Sequence, residues 1–496
     1  YTPIVKTPHL DAIAQEGIRY TNAFANNPIC APSRICFMTG QHVHTHGYYG
    51  NQNNDCTDEN RLFLPSVFRN YGYQTAMFGK AHLIRKWLDE GFEQYGVCDM
   101  IDAKQGAPES CHYFKYLQDH GLADYYEEGN PKPGQEYTHD GSAPAQLPYE
   151  HSIERFTGNG AIEFLKTRDT DRPFFLNVSF QRPHAPIAPA AEHFGLYNPA
   201  DIPLPASACD LFERKFEGKP SFMQQHISQL GGYPLVCKDK AALQQVLASY
   251  YALISVIDAE IGRVIETLKE LGEYENTIIF YTADHGDFAG EHGLFHKNLG
   301  IYESIQKIPF LLKVPGGAAG KTCEDLVESI DWYPTICKLC GVPTSDKVEG
   351  NALLAASSPN TDPDTSIVME PASKTAIFCD WDFYNSTRAI AVRTKTRRLV
   401  YHANTNEGEL YDHETDPDEL INQYDNPTYN ADRLALTSQL LTFAMGHAKR
   451  SDCVQDRKIQ HESRFDPVVL LQRDKIYWSD LDKTYHTVKS WPPSKK

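Results

Sequence analysis

Apolar positions along the chain follow two periods. Between Tyr250 and Leu271, the residues Leu253, Ile254, Ile257, Ile261, Val264, Ile265 and Leu268 recur every three or four positions, which predicts an amphipathic helix ending near Gly272. Thr277–Ala283 follows as a continuous apolar run of buried-strand type, and Pro173–Phe180 and Ile308–Val314 read the same way. Gln74–Phe78 and Ile18–Phe24 are shorter strands. Thr7 and Pro8 open a helix with a Leu10/Ile13/Ala14 stripe that stops at Gly17. Further helices are predicted over Pro32–Gly40, Ile153–Lys166, Ile330–Gly341 and Arg433–Met445. A helix, a short turn and a parallel-type strand form the repeating unit of a doubly wound sheet, so the pattern predicts an α/β fold with a mostly parallel sheet flanked by helices.

Punctuation divides the chain. A Pro/Ser/Asp/Thr-rich stretch at about 356–365 separates a catalytic-sized region, 1–360, from a smaller one, 366–496. Arg388–Tyr401 alternates in strand fashion beyond it, and a polar tail begins near Lys449. From about 98 to 150 the sequence is rich in Gly, Pro, Tyr, His and acidic residues without periodicity, as expected of a loop-rich insertion that shapes specificity. No internal repeat is present.

Composition narrows the class. The 496 residues are 41% hydrophobic and 23% charged, an ordinary globular balance with ample core. A net charge of −18 argues against a general nucleic-acid binder, although a local basic pocket for an anion is compatible with it. No apolar run approaches the roughly 18 residues of a membrane span. The chain opens at Tyr1 with neither a charged n-region nor an apolar h-region, so either a signal has been removed or the sequence is a fragment. Twelve cysteines follow no disulfide spacing. Cys337 and Cys340 read as core residues of a helix, because no second Cys or His pair at zinc spacing accompanies them. The compartment stays open, with a periplasmic or secreted one preferred over the cytoplasm.

Candidate chemistry gathers at strand and helix ends. Cys30 sits at or just before a helix N-terminus, where free N–H groups and the dipole favour anions, and Arg34 one turn later offers a cationic fork. Lys80 and His82 lie just past the Gln74–Phe78 strand, where open α/β sheets place their ligand crevices. His184 follows Pro173–Phe180 between two prolines, and Asp284, His285 and Lys297 follow Thr277–Ala283. His42, His44 and His46 face apart in a loop and are expected at a pocket rim rather than on a metal.

Four of these stretches resemble one family. Cys30-Ala31-Pro32-Ser33-Arg34 with Met38-Thr39-Gly40 is similar to the C-x-P-S-R…T-G signature of the type I, formylglycine-dependent sulfatases of the alkaline phosphatase superfamily. Gly79-Lys80-Ala81-His82-Leu83 resembles the second signature, Pro183-His184-Ala185-Pro186 a P-H-x-P pocket element, and Thr282–Asp287 with Gly290–Gly293 and Lys297 the metal-site strand end. Gly408–Asp412 resembles the C-terminal hairpin, which adds an antiparallel sheet to the smaller region.

The resemblance implies an alkaline phosphatase-like fold and hydrolysis of a sulfate monoester, by default on a sulfated carbohydrate. It implies formylglycine made from Cys30 by a formylglycine-generating or sulfatase-maturing enzyme. It also implies a divalent metal on Asp284, His285 and residue 30: calcium as the usual ion, magnesium or manganese as alternatives. Arg34, Lys80, His184 and Lys297 would bind the sulfate, with His184 or Lys80 protonating the leaving alcohol and His82 acting as base. Tyr48, Tyr49, Trp87 and His112 suit stacking on a sugar. A family strand ending in two metal-binding carboxylates has no counterpart before Tyr1. A phosphonate monoester or phosphodiester hydrolase, and an inactive sulfated-glycan binder, are the alternatives.

Overall fold

The computed structural model describes residues 2–51, 63–83, 85–99, 111–126, 142–223, 239–297, 299–353, 374–383 and 387–446. The proposed boundary at 356–365, the tail from Lys449, much of the 98–150 insertion and the Trp87 side chain lie outside the described residues.

Two groups of strands lie between layers of helices. β2 (Gln74–Gly79) pairs in parallel with β3 (Gln94–Val97) and β4 (Phe174–Ser179), giving the order β3-β2-β4. The second sheet has the order β5-β6-β1-β7, from β1 (Ile18–Phe24), β5 (Ile279–Thr282), β6 (Phe310–Lys313) and β7 (Lys321–Glu328). β1 is parallel to β7, whereas β6 runs antiparallel to both β1 and β5. The reason is local: the chain builds the loop after β5 at that strand's carboxyl end and re-enters the sheet from there.

Helices cover both faces. On one side α1 (Pro8–Glu16), α3 (Ile153–Thr167) and α4 (Lys240–Glu270) pack through Leu10, Ile13, Phe164, Leu165, Ile265 and Leu268. On the other, α2 (Cys30–Thr39) and α5 (Trp332–Leu339) contribute Ile35, Met38, Tyr333, Ile336 and Cys337, so Cys337 is a core residue as expected. Thr7 makes no side-chain cap on α1. The N–H groups of His9 and Leu10 donate instead to the Asp258 carboxylate of α4, at 3.2 and 2.8 Å. α4 begins ten residues earlier than its apolar stripe suggested, with Asp239 accepting from Ala242 N–H at its start.

A four-stranded antiparallel sheet completes the fold, in the order β11-β10-β9-β8. It comprises β8 (Ala376–Phe383), β9 (Thr387–Thr394), β10 (Arg397–His402) and β11 (Glu407–Asp412). The run read as one strand, Arg388–Tyr401, is two strands turned at Lys395 and Thr396, so the same alternation serves both arms of a hairpin. A helix over 430–446 covers this sheet with Leu436 and Leu440 against Val392, Leu399 and Leu410. The architecture is therefore mixed α/β with parallel strands, plus a C-terminal antiparallel sheet. Among the described residues no helix is long and apolar enough to cross a membrane.

β4 and β5 depart from expectation in one respect. Both read as fully buried strands, yet every residue of each is only half-buried. Among the described residues each is the end strand of its sheet, and the two line a common cavity of about 1730 Å³ that runs up to the candidate site.

Candidate active site

The site starts from α2. Cys30 is its first residue, Ile29 the cap in extended conformation, and Gly40 closes it at φ +66, the left-handed value that glycine adopts without strain. Pro32 is the third residue rather than the first, so Cys30 lies inside the first turn. Asn27 prepares this start: its Oδ1 accepts from Ile29 N–H (2.8 Å) and its Nδ2 donates to the Asp380 carbonyl of β8 (2.5 Å).

Arg34, one turn on, ties three strand ends together. Its Nε donates to Asp284 Oδ2 at 2.8 Å, and its Nη1 to the Lys80 carbonyl and to Ser179 Oγ, both at 2.9 Å. Ser33 Oγ donates to the Asp284 carbonyl. Asp284 therefore sits at the end of β5 with one carboxylate oxygen on Arg34. The other accepts from His285 N–H (3.1 Å) and lies 3.6 Å from His285 Nε2. His285 Nε2 is 3.2 Å from Cys30 Sγ, and its Nδ1 is held by the Gly286 carbonyl at 2.6 Å.

Charge around Cys30 is one-sided. Lys80 Nζ donates to Sγ at 3.4 Å, and Lys297 makes a side-chain hydrogen bond to the same sulfur. Burial alone would push this thiol up, but the ammonium groups of Lys297 and Lys80, with His285, outweigh it and hold it well below the usual range. Cys36, two turns further along α2, shows the opposite outcome. It is equally buried, lies near Cys379, Glu349 and Glu328 rather than lysines, and its thiol is pushed well up. Asp284 is held below the usual carboxylate range, its burial overcome by Arg34 and His285. His184 is pushed well down by burial and by the nearby Lys297 and Lys80, so it is neutral at ordinary pH. Lys297 is raised: burial opposes its charge, but Cys30 and Asp284 stabilise it more.

Cys30, Arg34, Lys80, His184, Asp284, His285 and Lys297 thus converge from four separate stretches. Cys30, Asp284 and His285 present one ligand-type atom each, all within 4.8 Å of one another. His82 is the exception: it occupies a left-handed backbone position (φ +46), its N–H donates to Asp99 Oδ2 at 2.7 Å, and among the described residues no hydrogen bond or ion pair joins it to the Cys30 cluster. Its buried Nδ1 has no hydrogen-bond partner among the described residues. Of the three histidines after Gly40, His44 and His46 lie on one helical turn, Val43–His46, which His42 precedes as the extended cap. They serve different partners: His42 contacts Asn26, His44 the Asp380 carboxylate, His46 the Cys36 thiol.

Several site-building residues were not foreseen. Ser179 receives Arg34 and, through its carbonyl, the Lys80 N–H; Asp99 clamps the N–H groups of Ala81 and His82. Ser179 ends its strand five residues before His184, which is a positional signal; Asp99 carries none, because its role depends on β3 lying beside β2.

Fold and site together define an α/β protein with an anion-suited, cation-lined pocket at the carboxyl ends of its strands. The chain belongs to the sulfatase family of the alkaline phosphatase superfamily: the Sulfatase family model matches residues 2–342, and that for the N-sulphoglucosamine sulphohydrolase C-terminal region matches 290–445. An N-acetylglucosamine-6-O-sulfatase of Bacteroides thetaiotaomicron is 27% identical, with 86% of this chain and 79% of the relative covered. An arylsulfatase of Clostridium perfringens is 28% identical, with 86% of each covered. A structure solved in complex with its substrate, D-glucosamine-2-N,6-O-disulfate, superposes with a TM-score of 0.66 at 25% identity, over 90% of this chain and 94% of that one. The phosphonate monoester hydrolase of Agrobacterium radiobacter shares the fold, with a TM-score of 0.69 at 23% identity over 89% and 91% of the chains.

Proposed function

We propose that this protein hydrolyses a sulfate monoester on a sulfated carbohydrate, using a formylglycine made from Cys30 and a divalent cation. The observation that carries the reading is the meeting of Lys80, Lys297 and His285 on Cys30 Sγ, beside Asp284 and at a helix N-terminus. Relatives named for sulfated sugars support the substrate class.

The donor set fits a divalent cation. Asp284 keeps Oδ1 facing His285 Nε2 while Arg34 occupies Oδ2, and the Cys30 side chain lies within the same 4.8 Å group. These three would hold the ion. Calcium seeks six to eight oxygens, whereas an imidazole suits manganese or zinc, so metal analysis of purified protein decides the identity. Bound there, the cation and the oxidised side chain supply an activated hydroxyl nucleophile.

The rest falls to the chain's own groups. Arg34, Lys80 and Lys297 place fixed positive charge against the sulfate oxygens, where charge grows in the transition state. Arg34 also orients Asp284. His184 is assigned to protonate the departing alcohol oxygen. It is neutral at rest, so it must first acquire a proton, and Lys80 is the alternative donor. His82 is assigned the base role; its unpartnered Nδ1 is the feature that supports a further contact.

Side-by-side assays on an aryl sulfate, an aryl phosphonate and a panel of sulfated monosaccharides test the reading, together with mass analysis of the Cys30 peptide. Sulfate turnover with a formylglycine mass is expected. Preference for the phosphonate indicates the related hydrolase, and an unmodified thiol with binding but no turnover indicates a glycan binder.

A further inference from the structure

The loop after β5 carries two members of the site, Asp284 at its start and Lys297 thirteen positions on. Between them the chain folds into a narrow hairpin. Asp287 Oδ1 accepts from Ala289 and His296 N–H, both at 2.8 Å. Phe288 N–H donates to the His296 carbonyl at 3.0 Å, and Gly290 N–H to the Leu294 carbonyl at 2.8 Å. Lys297 follows directly on His296, so whatever fixes the hairpin also fixes the backbone from which Lys297 reaches Cys30.

The hairpin tip is tied to a distant part of the chain, the short helical turns Ala206–Ala208 and Asp210–Arg214 that precede α4. His292, at the tip, has φ +53, a left-handed position that strains any residue with a Cβ. Its Nδ1 lies 2.7 Å from Asp210 Oδ2, with both side chains buried. A carboxylate only accepts, so Nδ1 carries the proton and donates. Asp210 is itself held from other sides, by Arg214 Nε at 2.9 Å and by Lys219 Nζ at 3.7 Å. Burial alone would push its carboxyl up, but the His292 bond, Lys219 and Arg214 outweigh burial and hold it below its ordinary value. Ser207 adds a second tie: its Oγ accepts from His292 N–H at 3.1 Å and donates to the Glu291 carboxylate.

We propose that Asp210 and His292 are positioning residues, whose buried bond sets the hairpin that holds Lys297 against Cys30. Its effect on turnover rests on the proposed function, whereas its effect on the hairpin rests on geometry alone. Phe288 and Leu294 are fully buried in the core, so the loop stays folded without the tie, and losing the tie displaces Lys297 rather than unfolding its support. Displacement matters because a catalytic group misplaced by about 1 Å can cost on the order of 10²-fold in rate.

The test is a double-mutant cycle on the full chain with 4-nitrophenyl sulfate. His292→Ala should lower kcat/KM about 10–30-fold in the wild-type background and less than about twofold in Lys297→Ala, because the tie acts through that lysine. A merely structural residue would lower both backgrounds alike. His292→Asn should recover activity to within about threefold of wild type, since asparagine tolerates the left-handed backbone and its amide can donate to Asp210. Asp210→Asn keeps the shape but loses the charge; it should repeat the pattern at lower amplitude, and it serves if His292→Ala does not fold. Hydrogen exchange gives a readout without turnover: the amides of Phe288, Gly290 and His296 should exchange about tenfold faster or more in His292→Ala, with those of Leu399 and Val400 unchanged within a few-fold. Equal loss in both backgrounds, no loss in either, or hairpin amides that exchange as in wild type would each overturn the proposal. If the wild type turns over no sulfate ester, the proposed function fails by itself, and the exchange comparison still decides whether the tie holds the hairpin.

Discussion

Two groups of ligand-type side chains can be set side by side: Cys30, Asp284 and His285, and Glu303, His413 and Glu419. In each, three donor atoms lie within 4.8 Å of one another. The second group is closed. Glu303 Oε2 accepts from Arg393 (2.9 Å) and Arg398 (2.5 Å), Arg398 also donates to Glu419 (2.6 Å), and His413 lies 3.1 Å from Glu419. Every charge there faces an opposite one, and the result ties β9 and β10 to the loop before β6. The first group has a single carboxylate against Arg34, Lys80 and Lys297, and its members, apart from the sulfur, line the large cavity. Proximity of ligands is common to both. Glu303 and Glu419 line that cavity too, so what differs is the excess of positive charge, and that excess suits an anionic substrate.

The largest effect that tests this contrast is at Cys30. Cys30→Ala should lower kcat/KM for an aryl sulfate by at least ~10³-fold, since a methyl group has no heteroatom to be oxidised to the aldehyde of the proposed scheme. Cys36→Ala, on the same helix, should leave turnover near wild type. Next comes Lys297→Ala, expected to cost about 10²–10³-fold in kcat/KM, the loss typical of one donor to a developing oxyanion. An unchanged rate would mean that the positive excess is structural after all.

The closed group should respond in the opposite currency. Arg398→Met leaves Glu419 buried without its guanidinium and the half-buried Glu303 with Arg393 alone, and urea unfolding should register about 3–5 kcal/mol of lost stability. Turnover per folded molecule should stay within about twofold. A smaller effect follows with pH. Burial would raise the Glu303 carboxyl, but Arg398 and Arg393 hold it down to about 2, against 4.5 as the ordinary value. A depressed acid contributes its stability above the unfolded value, so this contribution is complete above about pH 4.5 and is lost as pH falls toward 2. Thermal melts across that window should show the loss in the wild type and a shallower one in Arg398→Met.

Much of the first group could be read before any coordinates. Cys30, Lys80, His184 and Asp284 each follow a strand or open a helix, and local pattern marks such ends. Of the second group only Glu419 stands in a stretch the resemblance marks, the Asp416–Glu419 turn after the C-terminal hairpin, and nothing there marks its partners. Arg398 and Glu419 are ordinary charged residues in sequence, and only the packing of the antiparallel sheet against the 303 turn makes them partners. Asp99 and Ser179 escaped for the same reason: their hydrogen-bond partners lie 17 or more residues away.

The sequence by itself determined which segments are helix and strand, and which strand ends carry chemistry, because periodicity and punctuation act over a few residues. Tertiary structure alone decided that β6 runs antiparallel, that β4 and β5 stand apart across a cavity, and that Cys30 rather than Cys36 meets the lysines. These outcomes depend on which distant surfaces come together, and a short-range pattern carries no record of its partners.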